Sequence, residues 1–292
     1  MLDVGSWREM DADHKGGIVS ENEQKVVVIT GASSGIGAAV ARELGRRGHA
    51  LVLAARGETA LRQLADEIGG RTLVVRADVT RRGDVERIRD EALGEFGRVD
   101  VWINNAGRGI SRKVMELTDS DLDEMMAINV KAPLYGAQAI VPHFQQRGSG
   151  HLINVSSFLG RVPIAAVRSA YNAAKHALNA LTANLRMELR AAGDTGIHVT
   201  TLMPGIVETP FAANALGAAP GTSTMRLSGP MASQTAEEVA TIIADVVDHP
   251  RPDVYTNPAH PDLAKSYYAD VAAFEERMAS MVTPAPQPSA TT

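Results

Sequence analysis

An uninterrupted β-branched run followed by three closely spaced glycines constrains the fold of this chain more than any other feature. Residues 25–30 read Lys-Val-Val-Val-Ile-Thr, Gly31, Gly35 and Gly37 follow, and an alanine-rich helical pattern occupies about 38–47. Such a run predicts a strand buried on both faces, as in a parallel sheet. The strand, glycine turn and helix N-terminus predict a cradle for phosphate oxygens, because main-chain N–H groups and the helix dipole favour an anion there.

Strand-like and helix-like runs alternate along the rest of the chain, which is typical of βαβ units and predicts a parallel sheet. Strands are predicted at 25–30, 49–54, 72–76, 99–103, 150–156, 197–202 and 252–256, and long helices near 120–147 and 171–192. The expected fold class is therefore α/β, a single doubly wound Rossmann-type domain with a seven-stranded, mostly parallel sheet flanked by helices.

This alternation places the domain at 25–257. The polar segment 1–24 is expected to be a flexible N-terminal extension, and 283–292 a disordered tail. Residues 258–282 are predicted to form a C-terminal helical extension with one amphipathic helix over 261–281.

Composition excludes several classes of function. The chain has 292 residues and a net charge of −5, so electrostatics give no case for nucleic acid or an anionic membrane as a partner. No run approaches the ~18 apolar residues of a membrane span. Without cysteine there is neither a disulfide nor thiolate catalysis, which is consistent with a cytoplasmic location. The eight histidines lack ligand spacing, so no metal site is predicted.

Tyr171 and Lys175, preceded by Ser156-Ser157, bring together a phenol, an ammonium and a hydroxyl. On a helix, residues four apart share one face. A free phenol has a pKa near ~10, and a nearby cation lowers that pKa toward the range useful for acid–base catalysis. Taken alone, the pair is more often a packed tyrosine beside a solvated lysine.

Five motifs occur in one order: the glycine turn at 30–37, Asn-Asn-Ala-Gly at 104–107, Ser156-Ser157, Tyr171-x-x-x-Lys175 and Pro204-Gly205. In this series the chain resembles the classical branch of the short-chain dehydrogenase/reductase family, from about residue 25 to about residue 257. The resemblance implies hydride transfer with a nicotinamide cofactor, a substrate lid at about 206–232, and a homotetramer or homodimer through helices 120–147 and 171–192.

By this resemblance the catalytic set is Ser157, Tyr171, Lys175 and Asn129. Ser157 would hydrogen-bond the substrate carbonyl, and Tyr171 would exchange a proton with it. Lys175 would lower the pKa of Tyr171 and contact the nicotinamide ribose. Asn129 would kink its helix and hold a water linked to the lysine.

The interval from Ser157 to Tyr171 is fourteen positions, one residue longer than is common in the family. The extra residue predicts a bulge in the 161–169 loop. Ser156 is the alternative hydroxyl, but it would lengthen the interval further.

The resemblance also assigns a set of cofactor-binding residues. These are Gly31, Ser33, Ser34, Gly35, Ile36, Gly37, Arg56, Asp78, Val79, Asn105, Ala106, Gly107, Tyr171, Lys175, Pro204, Gly205, Val207 and Thr209. The turn itself reads Gly-x-x-x-Gly-x-Gly rather than the standard Gly-x-Gly-x-x-Gly, so the turn alone leaves the ligand open.

The end of the second predicted strand indicates which cofactor is preferred. An acidic residue there would bind the ribose 2′-hydroxyl of NAD, but this chain has Ala55 followed by Arg56. A guanidinium binds a 2′-phosphate in a forked geometry, which predicts NADP(H) over NAD(H). Ser34 stands where some NADP-dependent relatives carry a second basic residue, and the alternative role of Arg56 is a solvated loop charge.

Residues around the expected pocket predict an apolar small-molecule substrate. They are Ile110, Phe158, Leu159, Val162, Phe211 and Met225. Arg161 and Arg168 could approach an acidic group, although loop arginines need no such role.

The sequence therefore predicts an NADP(H)-dependent oxidoreductase that interconverts a carbonyl and an alcohol, with Tyr171 as general acid/base. Two alternatives stay open: an NAD-dependent alcohol dehydrogenase, and a catalytically silent NADP(H)-binding scaffold or regulator.

Overall fold

The computed structural model describes residues 24–222 and 227–281. The predicted N-terminal extension, except Gln24, and the predicted tail lie outside these residues, as does Met225 of the predicted pocket. Within the described ranges, no helix combines the length and apolar character that a membrane span needs.

Nine strands and nine α-helices alternate along the described chain. The strands are β1 (Val26–Thr30), β2 (Ala50–Ala55), β3 (Thr72–Arg76), β4 (Val101–Asn104), β5 (Gly150–Val155), β6 (Ile197–Met203), β7 (Val207–Glu208), β8 (Gln234–Thr235) and β9 (Asp253–Tyr255). The helices are α1 (Gly35–Arg46), α2 (Glu58–Ile68), α3 (Arg82–Phe96), α4 (Asp119–Met126), α5 (Ala132–Arg147), α6 (Ser169–Ala192), α7 (Ala236–Asp248), α8 (His260–Ala269) and α9 (Val271–Met281).

Seven strands form one sheet in the order β3-β2-β1-β4-β5-β6-β9, and every pairing in it is parallel. All seven predicted strands are in this sheet, so the predicted fold class is confirmed. The two short strands β7 and β8 pair separately beside it.

Alternation along the central strands builds a core on each face of the sheet. Val27 and Ile29 of β1 pack in a cluster with residues of α1, α2 and α7. Val26 and Val28 pack in a second cluster with residues of α3, α5 and α6. Because both faces are covered, β1 and β2 are buried at every position, which is why their sequences are continuous apolar runs.

Two predicted helices are interrupted. The helix expected over 120–147 is α4 and α5 separated by a π-helical turn at Ala127–Lys131. The single helix expected over 261–281 is α8 and α9, because Asp270 adopts an extended conformation (φ −154°, ψ 89°) and its carboxylate accepts the N–H of Ala273 at 3.0 Å.

Candidate active site

A cleft of about 980 Å³ lies at the carboxyl ends of the parallel strands. The sheet order reverses between β1 and β4, and in open α/β sheets ligands bind at this point. Loops after six strands of the main sheet, β1 to β6, and the first turns of α6 contribute to its walls. The predicted cofactor residues that line it are Gly31, Ser33, Ser34, Gly35, Ile36, Arg56, Asp78, Val79, Asn105, Ala106, Gly107, Tyr171, Lys175, Pro204, Gly205, Val207 and Thr209.

The glycine turn after β1 leaves no room for a side chain at Gly31 or Gly37. Gly31 has φ +68°, and a Cβ on it would lie 2.8 Å from the Cα of Ala106. A Cβ on Gly37 would lie 2.4 Å from the Gly31 carbonyl oxygen. Gly37 does not line the cleft; it lets α1 approach the turn, so its predicted direct contact with the cofactor is not supported.

The asparagines after β4 join neighbouring strands. Asn104 is buried, and its Nδ2 donates to Asn154 Oδ1 on β5 at 2.8 Å. Asn105 Nδ2 donates to the carbonyl of Thr30 at the end of β1, at 2.9 Å. These bonds fix three adjacent strand ends and so hold the floor of the cleft.

Arg56 and Asp78 lie at the end of the cleft formed by β2 and β3. Arg56 is exposed on the rim, and its guanidinium forms no ion pair with any described residue. The Asp78 Oδ1 accepts the N–H and the hydroxyl of Thr80, at 3.0 and 2.7 Å. Asp78 Oδ2 therefore keeps its acceptor capacity.

Tyr171 and Lys175 face inward from the first turns of α6, and both are buried. Lys175 Nζ donates to the carbonyl of Val155 at the end of β5, at 2.9 Å. It also lies 5.6 Å from the centroid of the Tyr171 ring. Ser157 lies beside Tyr171, and its Oγ accepts the N–H of Leu159 at 3.1 Å.

The two serines differ in their contacts. Ser157 lies close enough to the Tyr171 side chain to lower the pKa of the phenol. The Ser156 hydroxyl instead donates to the main-chain carbonyl of Lys175, at 3.5 Å. This difference favours Ser157 over Ser156 as the functional hydroxyl.

Burial has the largest effect on the pKa values of Tyr171 and Lys175. It raises the pKa of Tyr171 to about 12, while the hydrogen bond to Ser157 and the charge of Arg168 act in the opposite direction. Burial lowers the pKa of Lys175 to about 7. The prediction that Lys175 lowers the pKa of Tyr171 is not supported, because desolvation outweighs nearby charge and the cation that acts on the phenol is Arg168.

Asn129 occupies the π-helical turn and is completely buried behind the cleft. Its Nδ2 donates to the carbonyls of Arg108 and Met125, at 2.9 and 3.2 Å. A Cβ on Gly107 would lie 3.0 Å from Asn129 Oδ1 and 3.7 Å from Lys175 Nζ. Asn129 therefore lies at an irregularity in its helix, on the far side of Gly107 from the ligand space.

Only part of the predicted apolar pocket lines the cleft. Leu159 and Phe211 line it. Ile110, Phe158 and Val162 are in the core, so the prediction that they line the pocket is wrong. Ile110 packs beneath Tyr171, whereas Phe158 and Val162 pack against α8 and α9. Phe158 and Val162 are buried because the C-terminal extension covers this side of their loop.

The segment predicted as a lid contributes most through its first residues. Pro210 to Ala215 follow β7 and line the cleft, and Leu216 donates to the carbonyl of Gly109 at 2.9 Å. Sequence reasoning did not single out Ala212 to Ala215, because small residues in a loop carry no periodic signal.

Three arginines around the substrate side have different partners. Arg161 pairs with Asp253, away from the cleft. Arg108 lines the cleft and pairs with Glu124. Arg168 lines the cleft next to Tyr171.

Comparison with known proteins is consistent with this geometry. The family profile described as short chain dehydrogenase matches residues 25–218. An uncharacterized oxidoreductase of Staphylococcus epidermidis is 37% identical over 189 residues, which cover 65% of this chain and 80% of that protein. The uncharacterized oxidoreductase YxnA of Bacillus subtilis is 38% identical over 240 residues, and the match spans 80% of this chain but only 65% of YxnA.

Two solved structures share the architecture. A short chain dehydrogenase/reductase of Burkholderia phymatum in complex with NAD has a TM-score of 0.77 at 27% identity, over 92% of this chain and 99% of that one. An alcohol dehydrogenase of the archaeon Thermococcus sibiricus, complexed with 5-hydroxy-NADP, has a TM-score of 0.68 at 27% identity, over 80% of this chain and 96% of that one. Because the family profile covers well over half of the chain and the fold agrees, the protein is an oxidoreductase that belongs to the short-chain dehydrogenase/reductase family.

Proposed function

We propose that the protein is an NADP(H)-dependent oxidoreductase that interconverts a carbonyl and a primary or secondary alcohol. The observation that carries this proposal is the buried Ser157–Tyr171 pair beside Lys175, in a cleft continuous with the glycine turn. Two neighbouring, largely buried hydroxyl groups at a cleft wall are suited to hold a carbonyl oxygen and exchange a proton with it.

The glycine turn and its surroundings fit a nicotinamide dinucleotide. Ser33, Ser34, Gly35 and Ile36 line the cleft at the N-terminus of α1, so a pyrophosphate can reach main-chain N–H groups there. Gly107 packs directly against Asn129, where a Cβ would lie only 3.0 Å from Oδ1, so the main chain at this wall of the cleft stays close to Asn129 and Lys175. A bound nicotinamide cofactor would supply or accept the hydride.

Ser157 and Tyr171 have different roles toward the substrate oxygen. Ser157 Oγ accepts the Leu159 N–H, which orients the hydroxyl so that its proton, directed toward Tyr171 in the absence of substrate, would be donated to a substrate oxygen held between the two groups. Tyr171 donates its proton to the same oxygen as negative charge develops there. In the oxidation direction the phenolate takes that proton back.

Burial of Tyr171 favours its role as an acid. A pKa of about 12 keeps the phenol protonated at neutral pH, so the group enters the reaction in the form that reduction of a carbonyl needs. Oxidation requires the phenolate, which is the minor form under these conditions.

Lys175 positions the chemistry and contributes charge. Its ammonium donates one hydrogen bond to Val155, which leaves two N–H donors for other acceptors such as ribose hydroxyls. Asn129 supports the same region by fixing the Arg108 main chain next to Gly107.

Arg56 supports the preference for NADP(H). It lies on the cleft rim without an ion-pair partner among the described residues, so its fork is available for a 2′-phosphate. The Thermococcus sibiricus alcohol dehydrogenase was solved with an NADP derivative, whereas the Burkholderia phymatum protein was solved with NAD. The family therefore accommodates both cofactors, and Arg56 is the residue of this chain that favours NADP(H).

The test is the dissociation constant of the purified protein for NADPH and for NADH, measured side by side with wild type and Arg56→Gln. We expect wild type to bind NADPH roughly ten- to 150-fold more tightly, and the difference to be lost in Arg56→Gln. Equal affinities would favour an NAD-dependent alcohol dehydrogenase. Tight binding without turnover across a panel of ketones and aldehydes would favour a silent scaffold.

We further propose a homodimer or homotetramer formed through α5 and α6. Leu181 and Met187 of α6 are 40% and 61% exposed, so this helix presents large apolar side chains at its surface, which supports the proposal. Light scattering that gives the mass of a monomer would refute it. The cytoplasmic location stays a prediction.

A further inference from the structure

Arg168 stands at the entrance of α6, three residues before Tyr171, and its side chain lines the cleft. The guanidinium is half-buried, and its Nη1 donates to the main-chain carbonyl of Ile110 at 3.1 Å. In the part of the chain that the structure describes, no carboxylate lies within ion-pair distance of it. Nη2 and Nε therefore keep unused donors.

The neighbouring arginines differ from Arg168 in this respect. Arg108 pairs with Glu124, Arg112 with Asp121 at 3.3 Å, and Arg161 with Asp253. Burying a cation without a counter-charge is unfavourable, and burial here lowers the pKa of Arg168. Arg168 thus retains an unneutralised positive charge where the adjacent residues neutralise theirs.

The charge lies close to the groups that would bind a carbonyl. A Cβ on Gly109 would meet Arg168 Nη1 at 3.1 Å and the Phe211 ring at 2.9 Å, so the guanidinium and this ring are neighbours. The Phe211 ring packs edge-on against the Tyr171 ring, with centroids 5.6 Å apart. The charge of Arg168 also acts directly on the Tyr171 phenol.

The chemistry of the surroundings selects the ligand. One guanidinium fork matches the two oxygens of one carboxylate. Phe211 is its apolar neighbour, and Leu159 and Ile128 line the same cleft. The other two cations of the cleft wall near it are engaged, since Arg108 pairs with Glu124 and Lys175 donates to the Val155 carbonyl.

We propose that Arg168 binds a carboxylate of the substrate, so the substrates are oxo acids with an apolar carbon skeleton and the corresponding hydroxy acids. This inference rests on the proposed function, since it names the substrate class of the same site. Arg168 is then a specificity-determining residue: it holds the carboxylate while Ser157 and Tyr171 hold the carbonyl oxygen.

The experiment compares each acid with its own ester, which keeps the carbonyl and removes the charge. The pairs are phenylglyoxylate, acetoacetate and levulinate, each beside its methyl ester, reduced with NADPH. The proteins are wild type, Arg168→Gln, Arg168→Lys and the control Arg161→Gln, which removes a guanidinium of the same loop that is paired outside the cleft. The quantity measured is the ratio of kcat/KM for the acid to kcat/KM for the ester.

We expect wild type to prefer at least one acid over its ester, and Arg168→Gln to lower that ratio roughly ten- to hundred-fold. Arg168→Lys should keep part of the preference, and Arg161→Gln should keep all of it. A purely structural role would lower turnover of acid and ester alike. That result, or a wild type that never prefers an acid, overturns the inference.

A binding measurement separates this inference from the proposed function. Phenylacetate and phenylacetamide, which carry no reducible ketone, are titrated calorimetrically into the protein saturated with NADP⁺. Binding of the acid that is lost in Arg168→Gln supports the carboxylate site even if no carbonyl compound is turned over, in which case the proposed function fails alone. Turnover of esters without acid preference leaves the proposed function standing and overturns the carboxylate site.

Discussion

Lys175 Nζ donates to the main-chain carbonyl oxygen of Val155 at 2.9 Å, which ties the first turns of α6 to the end of β5. Both partners are buried, so this bond fixes the ammonium at the floor of the cleft. Ser157 follows Val155 by two residues, and Tyr171 precedes Lys175 by one helical turn. Together with the bond from the Ser156 hydroxyl to the Lys175 carbonyl, this bond holds the strand end that carries the hydroxyl against the helix that carries the phenol.

The charge state of Lys175 should appear in the pH dependence of turnover. Burial lowers its pKa to about 7, so the positive charge is present below this pH and is lost as pH rises through it. If the charge supports reduction, kcat/KM should fall as pH rises above about 7. Steady-state kinetics across neutral pH test this, with Lys175→Arg as the variant that keeps its charge. A wild-type profile that stays flat well above neutrality contradicts the expectation.

Removing the phenol hydroxyl should separate turnover from cofactor binding. Tyr171→Phe keeps the ring that packs against Phe211 but removes the proton donor. We expect kcat to fall about 10²- to 10⁴-fold, the usual contribution of a positioned general acid, with little change in the NADPH dissociation constant.

The matched control is Tyr135→Phe. Tyr135 packs against Arg82 outside the cleft, with the guanidinium carbon 4.4 Å from the ring centroid. The kcat of Tyr135→Phe should remain at the wild-type value. Near-normal turnover in Tyr171→Phe would refute the assignment of Tyr171 as the acid.

Gly37→Ala should damage the cradle although Gly37 does not line it. The added Cβ would lie 2.4 Å from the Gly31 carbonyl and 2.5 Å from Asn105 Nδ2, so either the turn or the Asn105 side chain must move. We expect a loss of roughly 1–3 kcal/mol in the free energy of unfolding and weaker NADPH binding. Urea denaturation and cofactor titration measure the two effects.

Gly94→Ala provides the opposite case on α3. A Cβ there meets no atom within 4 Å, so the substitution should stabilise the protein by roughly 0.5–1 kcal/mol through helix propensity. If both variants changed stability equally, close packing at Gly37 would not be the cause.

Acid should destabilise the fold through buried histidine. Burial lowers the pKa of His151 to about 3, below the value of about 6.5 expected for the unfolded chain. The unfolded chain therefore binds this proton first as pH falls. Stability that is fully present above about pH 6.5 is lost progressively toward pH 3, by a few kcal/mol in total.

Thermal unfolding as a function of pH measures this loss. His151→Gln removes the titrating group and can still hydrogen-bond Thr200, which His151 Nε2 contacts at 2.8 Å. The variant should therefore lose less stability between pH 6.5 and pH 3 than wild type. His249→Asn, at an exposed site, should follow wild type. A His151→Gln curve parallel to wild type would assign the acid sensitivity to other groups.

The strands of the main sheet could be predicted from the sequence because each is a short apolar run bounded by turn residues. Parallel strands buried on both faces need such runs, so composition and position are strongly coupled there. The interruption at Ala127–Lys131 was implied only by the family resemblance, which assigned a helix kink to Asn129, and the local residue pattern carries no signal for it. It depends on Asn129 finding the Arg108 carbonyl, a contact made 21 residues away in the chain.

The substrate pocket likewise shows which features the local sequence predicts and which depend on contacts between distant residues. Apolar character at Phe158 and Val162 predicts burial, but not which partner buries them. In the folded protein Phe158 stacks on His260 of α8, with ring centroids 4.0 Å apart, and so faces the C-terminal extension instead of the cleft. The sequence between these two residues contains no periodic pattern that links them.

The sequence by itself determined the sheet, the glycine turn and the order of the reactive groups, because these depend on local propensity and on motif spacing. Tertiary structure decided the pKa of Tyr171, the contacts that distinguish Ser157 from Ser156, and the exposure of Arg168 to the cleft. The physical reason is that burial and charge depend on atoms brought together from distant segments. Desolvation of Tyr171, and the position of Arg168 away from every carboxylate of residues 24–222 and 227–281, arise only after β5, α6 and the loop at Phe211 have packed.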